Sequence, residues 1–294
     1  MKKGFTLVEL LIVVGIIGIL AGILVASFGG GTESARNAQC LTNMKSLASA
    51  CHSYGMAHKF YPLAGSVEIM SIEKSGKSTE KNFWERPGWI SWNSQGAYSR
   101  RTQSHASSLS WFSSCYSQTF EEREYCVTNG AIWRFVTGNR KIFQCPSHVI
   151  KYKAKPPAWS YVMNSFFGWD SSKGSSYRPV GYEGRPFADL KRADKRLLFA
   201  EIPFMGVEGH VNDSQSPGIE CDCVLQYGDN EVIGFNHSSG KKAKFAHVVF
   251  ADGHAEKLTW PDSGMNESQV RELTKWLCEA TDVSFDGKQY REVN

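Results

Sequence analysis

Five residues at the N-terminus have types and a spacing that can support chemistry: Lys2, Lys3, Gly4, Phe5 and Glu9. The lysines precede an apolar run that starts at Phe5, and Glu9 is the one charged residue inside this run. A basic end followed by an apolar segment is typical of an export signal. No small-residue cleavage site of the Ala-x-Ala kind follows the run, so the sequence predicts processing at the bond between Gly4 and Phe5. Cleavage there leaves the apolar helix on the mature protein.

Glu9 places a carboxylate where a bilayer interior would penalise it by roughly 2.5–3.5 kcal/mol. At about 1.5 Å rise per residue, Glu9 lies about 6 Å along a helix from Phe5. After cleavage, Phe5 carries a cationic amine. Pairing of Glu9 with this amine on an adjacent copy would neutralise both charges and fix an axial stagger between helices. The alternative is a glutamate that extends to the cytoplasmic interface of a plain signal anchor.

The segment Lys2-Lys3-Gly4-Phe5-Thr6-Leu7-Val8-Glu9 resembles the class III signal of type IV prepilins and type II secretion pseudopilins. The resemblance implies that a prepilin peptidase cuts after Gly4 and methylates the new amino group of Phe5. It also implies several partners for the chain: sister pseudopilins or pilins, an inner-membrane assembly platform, a secretion ATPase and membrane lipid. The implied location is the inner membrane in a single pass, with the head in the periplasm or on an extracellular filament.

Three glycines of the apolar run, Gly15, Gly18 and Gly22, are spaced three and four residues apart and therefore share one helix face. We interpret this face as a surface where helices approach closely. The alternative is that glycine is simply frequent in membrane helices.

The composition narrows the class of protein. With 33 basic and 29 acidic residues, the net charge of +4 is too small to indicate nucleic-acid binding. The sequence contains no nucleophile elbow, no His-Glu-x-x-His helix and no phosphate loop. We therefore expect neither an enzyme nor a cofactor.

Eight cysteines are a further source of chemistry, at positions 40, 51, 115, 126, 145, 221, 223 and 278. This number suits an exported domain, so we expect structural disulfides, with a metal site as the alternative. Cys40 and Cys51 cannot bond to each other if they share a helix, because eleven residues of helix separate them by about 16 Å.

Two other groups of side chains are candidate ligand sites. His237, His247, Asp252 and His254 lie close in the sequence but lack a recognised ligand spacing, so we expect no metal there. Trp84, Trp89 and Trp92 belong to an aromatic tract that forms a sugar-stacking platform if it is exposed, or anchors an insertion if it is buried.

These residues require elements that position them. The sequence predicts a leader at 1–4, a transmembrane helix at 5–28, an amphipathic continuation at 29–58 and a globular head at 59–294. The continuation carries Leu41, Met44, Ala48 and Cys51 at helical spacing.

A second resemblance is to pseudopilin-like proteins of planctomycete and verrucomicrobial relatives. It rests on the helix around Ala38–Gly65, on Cys145-Pro146, on Tyr161–Asn164 and on Phe199-Ala200-Glu201. That group closes with a histidine, nine residues and Asp-Gly. Here fourteen residues separate His237 from the Asp-Gly pair. This difference weakens any role that the resemblance implies for His237.

The head shows local signals for strands and one helix. Asp-Gly pairs at 252 and 286 predict hairpins, Leu197–Ile202 and Glu231–Phe235 are further strand candidates, and Asn266 is a candidate cap for a C-terminal helix. We therefore predict an α+β fold: a long N-terminal helix packed on an antiparallel sheet with loop insertions. The predicted function is a structural filament subunit for protein secretion or a pilus, and the alternative is a membrane-anchored or filament-displayed head that binds a carbohydrate-type ligand.

Overall fold

The structure is a computed structural model. It describes residues 7–65, 67–70, 82–86, 88–90, 124, 126–151, 153, 157–170, 178–179, 185–188, 190–203, 223–225, 232–239 and 243–293. Inside the first range, the side chains of residues 19–32 are not described.

The N-terminal element is a single helix, α1, that spans Leu7–His58. It continues through Gly29, Gly30 and Gly31, so the three glycines do not break it. Its end is marked by Lys59, which has a positive φ of 71° and whose amide donates to the carbonyl of Gly55. The sequence predicts a continuation to residue 58, and the observed end is His58.

The head is built on a mixed sheet of short strands. Its central path runs β10, β9, β6, β3 and β7, and β8 pairs with β9 beside this path. The strands have the following bounds: β3 Tyr161–Asn164, β6 Leu197–Glu201, β7 Val224–Leu225, β8 His237–Ser239, β9 Ala243–Phe250 and β10 Ala255–Thr259. Every pairing in this sheet is antiparallel except that of β3 with β7.

Smaller elements complete the described chain. Three two-stranded pairs are β1 Val67–Met70 with β2 Asn82–Arg86, β4 Trp169–Asp170 with β5 Arg178–Pro179, and β11 Val283–Phe285 with β12 Tyr290–Glu292. Helix α2 spans Pro146–Lys151 and helix α3 spans Glu267–Glu279. Three 3-10 helices span Trp133–Val136, Arg140–Phe143 and Ser165–Phe167.

The sheet separates two apolar clusters. One face, with Tyr161, Phe199 and Val249, packs with the C-terminal half of α1. The other face, with Ala200 and Val248, packs with α3. This arrangement follows from the alternation of side chains along a strand, which sends neighbouring residues to opposite faces.

The local signals in the head were mostly confirmed. The hairpin at Asp252-Gly253 joins β9 to β10, and the second Asp-Gly pair joins β11 to β12. Asn266 caps α3 in a reciprocal capping box with Gln269. The strand predicted at Glu231–Phe235 was wrong, because residues 232–236 are irregular. The backbone amide of Ile233 donates to the Thr274 hydroxyl and that of Gly234 donates to the carbonyl of Glu201, so the segment forms no regular ladder. Gly234 also lies close to Ile202, where a Cβ atom would be only 2.7 Å from the carbonyl oxygen.

Together these elements confirm the α+β class. Within the part of the chain that the structure describes, no helix combines the length and the hydropathy that a membrane crossing requires. The predicted membrane span, residues 5–28, extends over residues outside the described part.

Candidate functional site

The first candidate site is the N-terminal half of α1. Gly4 and Phe5 lie outside the described residues, so the predicted processing point is not seen. Glu9 lies in the first turn of α1 and is exposed. A Cβ atom added at Gly15 or Gly18 would have no atom of the described residues within 4 Å outside the helix's own backbone. Gly22 lies in α1, but its surroundings are not described.

The described side chains of this half present an apolar surface on every side. Leu7 is 78% exposed, Val8 is 65% exposed, and the large apolar residues from Leu10 to Ile17 are exposed as well. A helix that is apolar all round is normally buried in a core or in a bilayer. This surface is therefore of the kind that proteins keep away from water.

The C-terminal half of α1 has the opposite arrangement. Its buried residues recur at helical spacing and face the sheet: Cys40, Met44, Leu47, Ala48 and Cys51. The predicted stripe is confirmed for Met44, Ala48 and Cys51, whereas Leu41 is only half-buried.

The second candidate site lies where this half of α1 meets the sheet. Four buried side chains converge there and are called the interior cluster: Cys40, Cys145, Glu201 and His237. Each offers one ligand atom, and the four atoms all lie within 4.8 Å of one another. Among the described residues, this is the one group of three or more such side chains that could hold a metal ion.

The sheet brings the carboxylate and the imidazole of the interior cluster together. Strand β6 pairs with residues 248–250 of β9, and β8 pairs with residues 243–245 of the same strand. Glu201 ends β6 and His237 begins β8, so the two residues lie next to each other along β9. Alternation turns Glu201 to the same face as Phe199, which is the face that packs against α1.

The two thiols come from elements that pack on this face. Cys40 belongs to the buried stripe of α1, and Cys145 immediately precedes α2. The amide of Asn43 donates to the carbonyls of Lys141 (3.2 Å) and Gln144 (2.9 Å). Because Asn43 is one turn after Cys40, these bonds hold the segment before Cys145 against the helix.

Short contacts connect the four groups. Glu201 Oε1 accepts a hydrogen bond from Cys40 Sγ and contacts His237 Nε2, each at 2.8 Å. Cys145 Sγ lies 3.8 Å from His237 Nε2. Glu201 Oε2 and His237 Nδ1 are buried without a hydrogen-bond partner among the described residues.

Charge in the interior cluster is set by the pair of Glu201 and His237. Burial raises the pKa of the Glu201 carboxyl, but the charge of His237 and its hydrogen bond lower that pKa to below its usual value overall. Burial lowers the pKa of His237, but the Glu201 carboxylate and Cys145 together outweigh burial and raise the pKa to about 10. Burial raises the pKa of the Cys40 thiol well above its usual value. At neutral pH the isolated cluster thus contains an ion pair and a neutral Cys40 thiol.

A second layer of polar groups surrounds the interior cluster. The hydroxyl of Tyr161 donates to Cys40 Sγ at 3.4 Å. The ring of His247 lies 4.7 Å from that of His237, centroid to centroid, and burial lowers the pKa of His247 to about 4. Glu33 Oε1 lies 3.9 Å from His237 Nδ1.

The prediction of structural disulfides does not hold for Cys40, Cys51 and Cys145, which are free thiols. Cys40 and Cys51 share α1, so the condition under which they cannot bond to each other is met. Cys115 and Cys221 lie outside the described residues. The physical reason for the difference is that Cys40 and Cys145 face a buried carboxylate and imidazole in a common cluster.

The sequence grouping of His237, His247, Asp252 and His254 is divided in the structure. His237 and His247 are neighbours in the interior, whereas His254 Nδ1 pairs with Asp252 Oδ1 at 2.6 Å on the exposed β9–β10 turn. The four residues therefore do not form one site.

Trp89 is not available for ligand stacking. It is fully buried, its indole Nε1 donates to the carbonyl of Cys223, and its ring contacts Phe143 and Phe199. This corrects the stacking interpretation for Trp89 and places it in the core. The side chains of Trp84 and Trp92 lie outside what the structure describes.

Sequence reasoning missed the interior cluster as a unit. It singled out Cys145-Pro146, Glu201 and His237 separately, and it treated Cys40 only as a disulfide candidate. One signal was available: Glu201 ends the apolar run Leu197–Ala200, and a carboxylate in a buried strand requires a partner.

Comparison with known families gives two matches. Residues 1–25 match the prokaryotic N-terminal methylation motif. Residues 31–201, more than half of the chain, match a family described as protein of unknown function, DUF1559. The first match confirms the predicted resemblance of the N-terminus.

Among curated proteins, the chain is similar to the type II secretion system core protein G of several bacteria. It is 37% identical to that of Vibrio cholerae over 84 residues, which is 29% of this chain and 58% of the relative. It is 34% identical to that of Pectobacterium carotovorum over 89 residues, 30% of this chain and 57% of the relative. The protein from Klebsiella michiganensis is 28% identical over 89 residues, 30% of this chain and 63% of the relative. The chain thus spans about three fifths of the length of these relatives. No solved structure matches it.

Proposed function

Because the chain belongs to the DUF1559 family and begins with an N-terminal methylation motif, we propose that it is a pilin-like subunit of a secretion or pilus filament. In this proposal a prepilin peptidase cleaves after Gly4 and methylates Phe5. The mature chain then stays in the inner membrane through its apolar helix until it is added to a filament with sister pseudopilins. An inner-membrane platform and a secretion ATPase would drive this addition, and the role of the chain is structural, not catalytic.

The observation that carries this proposal is the contrast in exposure along α1. The described N-terminal side chains expose apolar groups on all sides, while the C-terminal half is docked on the head. From Leu10 to Ala26 the sequence contains no polar side chain. A helix of 52 residues is about 78 Å long, enough for one half to enter a bilayer of about 30 Å while the other stays on the head.

Further support comes from Gly15 and Gly18. Among the described residues, no atom outside the helix's own backbone lies within 4 Å of the positions where their Cβ atoms would be, so the described packing gives no reason for glycine there. Glycine on one helix face permits close approach of a second helix. We therefore assign Gly15, Gly18 and Gly22 to contacts between subunits, and Glu9 to pairing with the Phe5 amine of a neighbour.

The carbohydrate-binding alternative gains no support from the described residues, since Trp89 is part of the core.

The proposal is tested by mass spectrometry of the N-terminus of the mature chain, purified from membranes of the native host. We expect the chain to begin with N-methylated Phe5. A Gly4→Leu variant is the matched control and should keep the intact leader, because a bulky residue replaces the glycine at the cleaved bond. A mature chain that starts at Met1 or near residue 30 would contradict the proposal.

A further inference from the structure

The interior cluster has the donor set of a structural metal site. Two thiol sulfurs, one imidazole nitrogen and one carboxylate oxygen are the ligand types that Zn²⁺ takes in proteins, and four protein ligands form its closed, tetrahedral sites. We propose that the interior cluster binds one Zn²⁺ ion. This proposal does not depend on the filament role.

The spacing of the four ligand atoms suits a tetrahedral ion. Bonds of about 2.0–2.3 Å to a central zinc place neighbouring donors about 3.3–3.8 Å apart. Cys145 Sγ and His237 Nε2 are already 3.8 Å apart, and all four donors lie within 4.8 Å. The two contacts at 2.8 Å, both to Glu201 Oε1, need to open by about 0.5–1 Å to reach this spacing.

The burial of the cluster favours a bound cation. A carboxylate in a protein interior costs several kcal/mol unless it is paired and its polar atoms are satisfied. Here Glu201 Oε2 and His237 Nδ1 have no hydrogen-bond partner within the described chain. A partly satisfied buried network is worse than an apolar core. A divalent cation bound by Glu201 Oε1, His237 Nε2 and the two sulfurs would compensate the buried carboxylate, and the two thiols and the imidazolium would each release a proton to solvent on binding. Glu201 Oε2 and His237 Nδ1 would then remain for partners in the outer layer.

The surrounding groups fit the outer layer of such a site. A metal-bound histidine usually directs its other ring nitrogen to a carboxylate or carbonyl, and Glu33 Oε1 lies 3.9 Å from His237 Nδ1. The Tyr161 hydroxyl donates to Cys40 Sγ, as second-layer donors do to zinc thiolates. All four ligands come from the protein and are buried, so the site has no open position for a substrate and is structural.

The ligands come from four separate segments of the chain. Cys40 is on α1, Cys145 precedes α2, Glu201 ends β6 and His237 begins β8. An ion at this point would fasten α1 to the sheet at the level where the helix enters the head. Its binding free energy would therefore contribute directly to the stability of the head.

Metal analysis of the full-length chain tests the proposal. The chain is purified in detergent without chelators, and its zinc content is measured by inductively coupled plasma mass spectrometry. We expect one zinc per chain. Cys145→Ser should lower the zinc content at least about tenfold, since ligand loss exceeds the effect of second-layer changes. Cys51→Ser is the matched control, because Cys51 is a buried cysteine on the same helix outside the cluster, and it should keep its zinc.

A second measurement does not depend on whether the variants fold. The wild-type chain is stripped with a chelator under reducing conditions and titrated with Co²⁺. A tetrahedral site with two thiolates gives strong visible absorption bands and a thiolate-to-cobalt charge-transfer band, both saturating at one equivalent. Zinc added afterwards should abolish these bands. Absence of the bands, together with absence of zinc in the purified chain, would overturn the proposal.

The rival outcome is a disulfide between Cys40 and Cys145. Alkylation of the denatured chain without reductant separates the two states, because zinc thiolates become alkylated and a disulfide does not. Alkylation of both residues, found by peptide mass spectrometry, supports the metal site. A peptide pair joined through Cys40 and Cys145 would overturn it.

Discussion

The two halves of α1 share one helix geometry but differ in the exposure of their apolar side chains. In the N-terminal half, the described apolar side chains point away from the chain and are exposed. In the C-terminal half, the apolar residues form one stripe that is buried on the sheet, and exposed polar residues occupy the other faces. The difference teaches that the chain's own core specifies the C-terminal half, whereas none of the described residues covers the apolar side chains of the N-terminal half. Substitutions in the two halves should therefore affect different measurements.

The largest effect is expected for Glu9→Leu. Removal of the carboxylate eases insertion, since the penalty of roughly 2.5–3.5 kcal/mol is gone, but it leaves a neighbour's amine without its partner. We expect normal membrane insertion and unchanged head stability, with a more than about tenfold loss of incorporation into filaments. Quantitative immunoblots of sheared filaments and membranes measure this ratio. Glu256→Leu, an exposed acid in the head, is the control. Unchanged incorporation of Glu9→Leu would remove Glu9 from assembly.

The next effect is expected in the docked half, for Leu47→Ala. Leu47 is fully buried between α1 and the sheet, so truncation should reduce the free energy of unfolding of the head by about 2–5 kcal/mol. Urea unfolding of the detergent-solubilised chain, followed by tryptophan fluorescence, measures this loss. Met56→Ala on the same helix is the control, because Met56 is 63% exposed and should change stability by less than about 0.5 kcal/mol. Equal effects of the two variants would show that α1 does not dock as described.

A smaller effect is expected for Asn43→Ala. Its side-chain amide donates to the carbonyls of Lys141 and Gln144, and removal leaves these acceptors without that donor at a cost of about 1–3 kcal/mol. The same urea experiment measures the change. Thr42→Ala is the neighbouring control, since the exposed Thr42 hydroxyl bonds only to the carbonyl of Ala38 in its own helix. A loss no larger than that of the control would mean that the segment before Cys145 is held by other contacts.

The smallest effect on the head is expected for Gly18→Ala. A methyl group at this position meets no atom of the described residues within 4 Å outside the helix's own backbone, and alanine is the better helix former, so head stability should stay within about 0.5 kcal/mol. Incorporation into filaments should fall, although less than for Glu9→Leu, because the methyl group prevents close approach of helices. Val13→Ala, on the opposite helix face, provides the comparison. If both variants assemble equally well, the glycine face has no packing role.

The parts of the structure that sequence predicted are those controlled by near neighbours. The hairpin at Asp252-Gly253 and the cap of α3 at Asn266 depend on residues within four positions of one another, and both were confirmed. The interior cluster depends on a contact between Cys40 and Glu201, which are 161 positions apart in the sequence. A local sequence pattern carries no information about a contact between such distant residues. The error at Glu231–Phe235 has the same origin, because the approach of Gly234 to Ile202 is a contact between distant segments.

Aromatic residues show the same limit. The tract around Trp89 was ambiguous in sequence, since an exposed platform and a buried anchor have the same composition. The burial of Trp89 depends on Phe143 and Phe199, which belong to other elements and pack on its indole ring.

The unbroken backbone of α1 at Gly29, Gly30 and Gly31 has a mechanical consequence. Without a joint between them, a rotation of the head is transmitted as torque along the helix to its apolar N-terminal half. Each glycine weakens a helix by about 1 kcal/mol relative to alanine, so we expect a chain under tension to bend or unwind at this triplet before its head unfolds.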